Sequence, residues 1–206
     1  MAKTWLELLL AHKTREARTL LIKEVENGTP VPEIYQHVLT PCLQEVGRLW
    51  QNRTINEAEE HYCAQTTEMA LALLSAYREG VPKRRAVVGF CVSNEQHEIG
   101  IRLLMDCLSL HGWDTVSFGS NVPHANIERI LLMWKPDVVA ISATMTYHLK
   151  DVKAAVAAVR DAKVPKTPKI LVGGRPFSIC ADLWKGVGAD LSAQSCSEAV
   201  LCLDGI

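Results

Sequence analysis

Asn94-Glu95-Gln96-His97-Glu98-Ile99-Gly100 follows an apolar run, Arg85 to Val92, and leads into an amphipathic pattern. That succession reads as a strand, a loop and a helix start. In an alternating α/β chain such a loop opens at the mouth of a parallel sheet, so His97 faces the place where ligands bind. Gly100 lets a group approach the backbone closely.

Two further motifs stand downstream in register. After Gly100, 41 residues pass before Ser142-Ala143-Thr144, and 28 more separate Thr144 from Gly173-Gly174. Ser142 and Thr144 can donate and accept hydrogen bonds at a strand end, and the glycine pair removes side chains where a large planar group must pass. Each motif alone is ordinary loop chemistry: a surface histidine, a polar turn, a tight glycine turn. Together the three resemble the spaced signature of the cobalamin-binding family, Asp/Glu-x-His-x-x-Gly, then Ser-x-Leu or similar, then Gly-Gly. The resemblance implies that His97 becomes the lower ligand of cobalt, and that the displaced nucleotide tail of the cofactor threads past Ser142 and Gly173-Gly174. It also implies that Gly188-Ala189-Asp190 with Ala193-Gln194-Ser195 borders the same tail.

An imidazole binds a metal through a neutral nitrogen and needs its other nitrogen held by a partner. Glu95, where family members commonly carry Asp, is the nearest carboxylate, with Glu98 as the alternative. His111, His124 and His148 read as surface or packing residues, His148 and Tyr147 lying near the crevice after Ser142.

The chain has 206 residues, 48% of them hydrophobic, with a net charge of −1. That is ample for a packed core, and it gives no pull toward nucleic acid or an anionic membrane. No apolar run reaches membrane-spanning length. The seven scattered cysteines form no C-x-x-C pair and read as buried thiols of a reducing compartment, so a cytoplasmic, untargeted protein is expected.

Residues 1–83 read as a helical bundle cap and 84–206 as a Rossmann-like domain, with the composition break at Gly80-Val81-Pro82-Lys83-Arg84-Arg85. Trp5, Leu8 and Leu9 give a first helix; Thr14 caps a second, which buries Ala17, Leu20, Leu21 and Val25. Thr29-Pro30 starts a third, which Pro41 bends or interrupts. Thr54 and Glu57 form the capping box of a fourth, whose apolar face is Cys63, Met69, Leu71 and Leu74 and which runs to about Tyr77. Four short-linked helices predict a four-helix bundle. From residue 86 onward strands alternate with helices (86–92, 97–111, 115–118, 125–134, 138–142, 151–162, 169–172, 178–185), followed by a strand near Asp190 and a helix from Ser195. The fold class is α/β: a flavodoxin-like, doubly wound, five-stranded parallel sheet behind a four-helix cap. In that strand order both His97 and Ser142 stand at the topological switch point.

The cap stretch Gly47-Arg48-Leu49-Trp50, nine residues, then Glu60-His61 resembles the cap signature of the adenosylcobalamin-dependent photoreceptors, without their DNA-binding domain. Trp50 offers an apolar plate, and Glu60 and His61 offer groups for ribose hydroxyls and for cobalt. The resemblance implies a light sensor rather than an enzyme, binding cobalamin with an adenosyl upper ligand. In it light cleaves the cobalt–carbon bond, and His61 can become the upper ligand after photolysis. It also implies a homo-oligomer, an output partner and a bilin such as biliverdin as an open extension. Direct nucleic-acid binding and membrane association are not expected. The alternative is a corrinoid methyl-carrier subunit of a methyltransferase system.

Overall fold

Unbroken runs of β-branched and apolar residues become strands buried on both faces, and the periodic segments between them become the helices that cover those faces. The computed structural model describes residues 1–77, 85–180 and 182–205, and the chain divides into two units, Met1–Glu79 and Gly80–Ile206. The composition break at residues 80–84 lies outside the described residues.

In the first unit α1 (Ala2–Leu10) buries Trp5 and Leu9, and α2 (Thr14–Glu26) buries Ala17 and Leu21. Thr14 opens α2 but does not cap it; its hydroxyl instead bonds the Tyr62 hydroxyl. The third helix begins one residue later than expected, at Val31, as α3 (Val31–Ile34). It continues through a π-helical turn, Tyr35–Leu39, into α4 (Thr40–Gln51). Pro41 lacks the N–H that an unbroken α-helix needs, and the interruption takes the form of this wider turn, in which the Thr40 N–H reaches back to the Tyr35 carbonyl.

The capping box of α5 (Glu57–Leu74) lies two residues beyond the expected Thr54–Glu57 pair. Asn56 Oδ1 accepts the Glu59 N–H at 3.0 Å, and the Glu59 carboxylate accepts the Asn56 N–H at 2.7 Å. Asn56 is extended, as a cap requires, and Glu57 is already inside the helix. The buried stripe is Cys63, Thr66, Thr67, Ala70, Leu71 and Leu74, whereas Met69 is exposed. Thr67 enters the core by donating its hydroxyl to the Cys63 carbonyl at 2.8 Å. The last turn, Ser75–Tyr77, tightens to 3₁₀.

The second unit contains, among the described residues, β1 (Arg85–Cys91), β2 (Trp113–Ser117), β3 (Val138–Ser142), β4 (Lys169–Gly173) and β5 (Leu191–Ala193). All pairings are parallel, in the order β2-β1-β3-β4-β5. Alternate residues feed opposite faces. Val88, Phe90, Val139, Ile141, Ile170 and Val172 pack under α7 (Ile127–Trp134) and α8 (Leu149–Asp161). Val87, Val138, Ala140 and Leu171 pack under α6 (Ile99–Leu110) and α11 (Cys196–Asp204). The helix expected over 178–185 is two short ones, α9 (Arg175–Ile179) and α10 (Leu183–Val187), because Cys180 is extended between them and Pro176 sets the start of the first. No helix among the described residues is long and apolar enough to cross a membrane.

Candidate functional site

The parallel register aligns the motif-bearing strand ends. Cys91 stands opposite Ser142 and Ser142 opposite Gly173, so the loops after β1, β3 and β4 rise side by side from one edge of the sheet. β1 and β3 are neighbours while β2 lies on the other side of β1, which places the switch point between the His97 loop and the Thr144 loop.

The loop after β1 is held by its own backbone. Asn94 takes a left-handed conformation (φ 65) that asparagine tolerates, and its N–H donates to Asn121 Oδ1 at 2.8 Å. Asn121, also left-handed (φ 54), returns its N–H to the Glu95 carbonyl at 2.9 Å. This crossed pair turns the Glu95 side chain inward, where it is fully buried.

Once buried, the carboxylate is surrounded by donors. Its Oε1 accepts the His97 N–H at 3.0 Å and the His97 Nδ1–H at 2.5 Å. Its Oε2 accepts the Thr144 N–H at 2.6 Å and the His148 Nδ1–H at 3.0 Å, with the Met145 N–H further off at 3.4 Å. Burial by itself would favour the neutral acid. The bonds from His97, Thr144 and His148 outweigh it and hold the Glu95 carboxyl well below the usual carboxylate range. An ionised carboxylate only accepts, so both rings present a proton on Nδ1, and a neutral His97 ring would leave Nε2 as its electron-pair donor. The His97 side chain is 43% exposed, where a ligand can meet it.

The direct Glu95–His97 bond therefore exists despite glutamate's extra length. Glu98 serves elsewhere, accepting the Ser120 N–H at 2.7 Å. Thr144 contributes its main-chain N–H to the site. Ser142 is buried opposite Cys91, whose thiol donates to the His97 carbonyl at 3.5 Å and is pushed up to about 12 by burial.

Gly174 is required by the backbone itself, and Gly173 sits in a tight place. A Cβ at Gly174 (φ 104) would collide with the Ala143 carbonyl oxygen, and one at Gly173 would lie 3.2 Å from the Ala193 carbonyl oxygen. A Cβ at Gly100, in the first turn of α6 and three residues after His97, would meet nothing within 4 Å, so this position opens on free space. In the closing segment Asp190 accepts the Ile170 N–H and pairs with Arg160, and Ser195 caps α11 by accepting the Glu198 N–H.

The expectation for His148 needs correction. It is buried and bonded to the site carboxylate, in the 3₁₀ turn Thr146–His148 that opens α8. Its place six residues after Ser142, at the switch point, was the available signal. The cysteines are also less uniform than expected: Cys42, Cys63, Cys91 and Cys107 are buried, Cys196 and Cys202 are half-buried, and Cys180 is exposed.

In the first unit, Trp50 is half-buried in the last turn of α4. Glu60 and His61 lie in the first turns of α5, which packs on α4. The Glu60 side chain is mostly buried; that of His61 is 68% exposed, with Nε2 3.6 Å from Glu60 and 3.9 Å from Glu57.

Residues 85–201 match the B12 binding domain family, over the whole span that carries His97, Ser142 and the glycine pair. This chain belongs to that family. A second B12 binding domain family matches residues 1–75. The chain is 30% identical over 179 residues to the HTH-type transcriptional repressor CarH of Myxococcus xanthus, covering 84% of this chain and 58% of that protein's length. It is 25% identical over 182 residues to dimethylamine corrinoid protein 3 of Methanosarcina acetivorans, covering 87% of this chain and 84% of the other. The structure of the Methanosarcina barkeri monomethylamine corrinoid protein superposes with a TM-score of 0.83 at 19% identity, covering 98% and 97% of the two chains, and shares the fold.

The protein is thus a cobalamin-binding member of the family, and its residues fit the group. The His97 ring is oriented through Nδ1 by a buried carboxylate, which leaves Nε2 as the atom that would meet a metal, and the position of Gly100, three residues on, opens on free space.

Proposed function

We propose that this cobalamin-binding protein is a light sensor, acting without catalytic turnover through a change of assembly or of partner binding. The observation that supports this reading is the joint spacing Trp50, nine residues, Glu60-His61 in the sequence of one unit, together with an intact His97 motif in the sequence of the other. The 30% identity to the repressor CarH is consistent with it. Bound adenosylcobalamin would supply a cobalt–carbon bond that light breaks. His97 would hold the cobalt through Nε2 while Glu95 keeps the proton on Nδ1. Trp50 would offer an apolar plate, Glu60 an acceptor for hydroxyl groups, and the exposed His61 a second imidazole. A bilin such as biliverdin would be a second chromophore on the same protein.

The test is the absorption spectrum and elution volume of dark-loaded protein before and after green light. Both are expected to change, and constancy of both would reject the reading. His61→Ala should load normally but give an altered lit spectrum. Biliverdin added to the dark protein should shift its long-wavelength absorption. A second reading, a methyl-carrying corrinoid subunit, is favoured by the match to dimethylamine corrinoid protein 3 over 84% of that protein's length. It requires rapid demethylation of the methyl-loaded protein by a thiol acceptor in the presence of a methyltransferase.

A further inference from the structure

Two cysteines stand where α6 and α11 pack side by side over one face of the sheet. Cys107 is buried in the last turn of α6, and Cys196, the first residue of α11, packs half-buried against the apolar cluster that holds Cys107. His111, just past the end of α6, folds back over it: its Nδ1 lies 2.8 Å from the Cys107 carbonyl oxygen and 4.0 Å from Cys107 Sγ. A carbonyl only accepts, so that nitrogen carries a proton and stands as a donor beside the sulfur. Each of the two sulfurs is the largest influence on the other's ionisation, a hydrogen-bonding effect that exists only between neighbours. The Cys196 thiol outweighs burial and, with the His111 ring, brings Cys107 down to about 7 although Asp106 opposes it, while Cys196 is pushed up and keeps its proton. Cysteines that only fill space behave otherwise here: burial pushes Cys42 and Cys63 each up to about 11.

We propose that Cys107 and Cys196 form a redox site, at the opposite end of α6 from the His97 motif, in which hydrogen peroxide converts the two thiols into a disulfide that staples α11 to α6. The Cys107 thiolate is the nucleophile, since it is the sulfur that ionises near neutral pH. It attacks one peroxide oxygen, the O–O bond breaks, and the departing hydroxide takes up a proton to leave as water, so the sulfur is oxidised to a sulfenic acid. Cys196 then attacks the Cys107 sulfur. The S–S bond forms, the S–O bond breaks, and the hydroxide released takes the Cys196 proton as a second water. Two thiols and one peroxide thus give one disulfide and two waters. Peroxide is little larger than water, which suits a nucleophile that is only 6% exposed and a half-buried resolving thiol. The staple ties the last helix to the far side of the same layer, and it does not depend on what occupies the loop after β1.

The experiment treats the whole reduced chain with one equivalent of hydrogen peroxide at neutral pH, blocks the remaining thiols with N-ethylmaleimide in mildly acidic denaturant, and maps the peptides by mass spectrometry without reduction. The peptides of Cys107 and Cys196 should be joined within a monomer lighter by two hydrogens, with Cys42 and Cys63 recovered as blocked thiols. Cys196→Ser should form no disulfide and leave Cys107 as a sulfenic acid that dimedone traps. Amide exchange along α11, followed by deuterium uptake, should slow about tenfold in the linked protein and recover on reduction. Should Cys196→Ser not fold, the wild-type peptide map and the exchange of α11 decide the question by themselves. Cys107 and Cys196 recovered unlinked, or linked only to the exposed Cys180 of another molecule, overturns the proposal. An exchange rate in α11 that is the same in linked and reduced protein overturns the staple.

Discussion

Gly174→Ala and Gly100→Ala separate the demands of the fold from those of the site. At Gly174 the backbone sits at φ 104, ψ 176, a region open essentially to glycine alone, which costs an alanine about 1–3 kcal/mol. The new Cβ would collide with the Ala143 carbonyl oxygen and lie 2.9 Å from its carbon. Since the neighbour is main chain at the end of β3, relief requires the β4–α9 turn to move off the sheet, an overpacking cost of about another 1–3 kcal/mol. The expected loss is about 4 kcal/mol, a large share of the 5–15 kcal/mol typical of a domain. With a urea m-value of about 2 kcal/mol/M, the midpoint followed by far-UV circular dichroism should fall by about 2 M. At Gly100 an added methyl meets no atom within 4 Å and stands in a helix, where alanine is favoured over glycine by up to about 1 kcal/mol. Its midpoint should hold or rise while cobalamin affinity drops, if the open space at the start of α6, three residues after His97, is where the cofactor lies. A Gly174→Ala midpoint within about 0.5 M of wild type would refute the steric reasoning. Undiminished cobalamin binding by Gly100→Ala would refute the assignment of that open space to the cofactor.

Asn56→Ala should cost about 1 kcal/mol in chemical unfolding, whereas Thr54→Ala, outside the capping box, should stay within about 0.5 kcal/mol. Glu95→Gln replaces an acceptor that receives two rings and two strong main-chain bonds, and calorimetry should show cobalamin affinity down about 10- to 100-fold. Burial opposes ionisation of Asp190, but the Ile170 N–H and Arg160 hold its carboxyl below the usual range, and Lys166 leads the same effect at Asp137. Folded pKa values below the unfolded ones mean stability that is complete above the unfolded aspartate value of about 4 and lost as pH falls through the folded values. Asp190→Asn should therefore flatten the acid limb of the stability–pH curve below about pH 4, as read from thermal midpoints.

The strand order was legible because β1, β3 and β4 are apolar runs without interruption, and a parallel sheet with helices on both faces is the one economical way to bury them. From that order alone the loops carrying His97 and Ser142 fall at one crevice. The capping box slipped by two residues because Thr54-x-x-Glu57 and Asn56-x-x-Glu59 both satisfy the pattern, and the choice rests on where the chain first turns helical. Met69 was misplaced because Thr66 and Thr67 enter the buried stripe, their hydroxyl polarity masking it in the hydropathy pattern. The role of Gly173-Gly174 could not be separated from that of a ligand clearance, since a backbone neighbour such as Ala143 leaves no trace in the local sequence. His148 was hidden for a similar reason: its partner lies 53 residues away, and the contact depends on how far a buried side chain extends.

That extension gives the glutamate at position 95 its meaning. Aspartate is one methylene shorter, and from the same backbone position it would reach the ring two residues on more readily than the main chain of another strand's loop. Glu95 spans both, with one oxygen on His97 and the other on Thr144 and His148. The orientation of the His97 ring is thus tied across the switch point to the first residues before α8, and the two loops are coupled through one carboxylate. Because the Thr144 contribution is a main-chain N–H, substitution there leaves the anchor in place. The bond from position 148 is a side-chain bond, so it is where a change of residue loosens the coupling while the sheet beneath keeps its register.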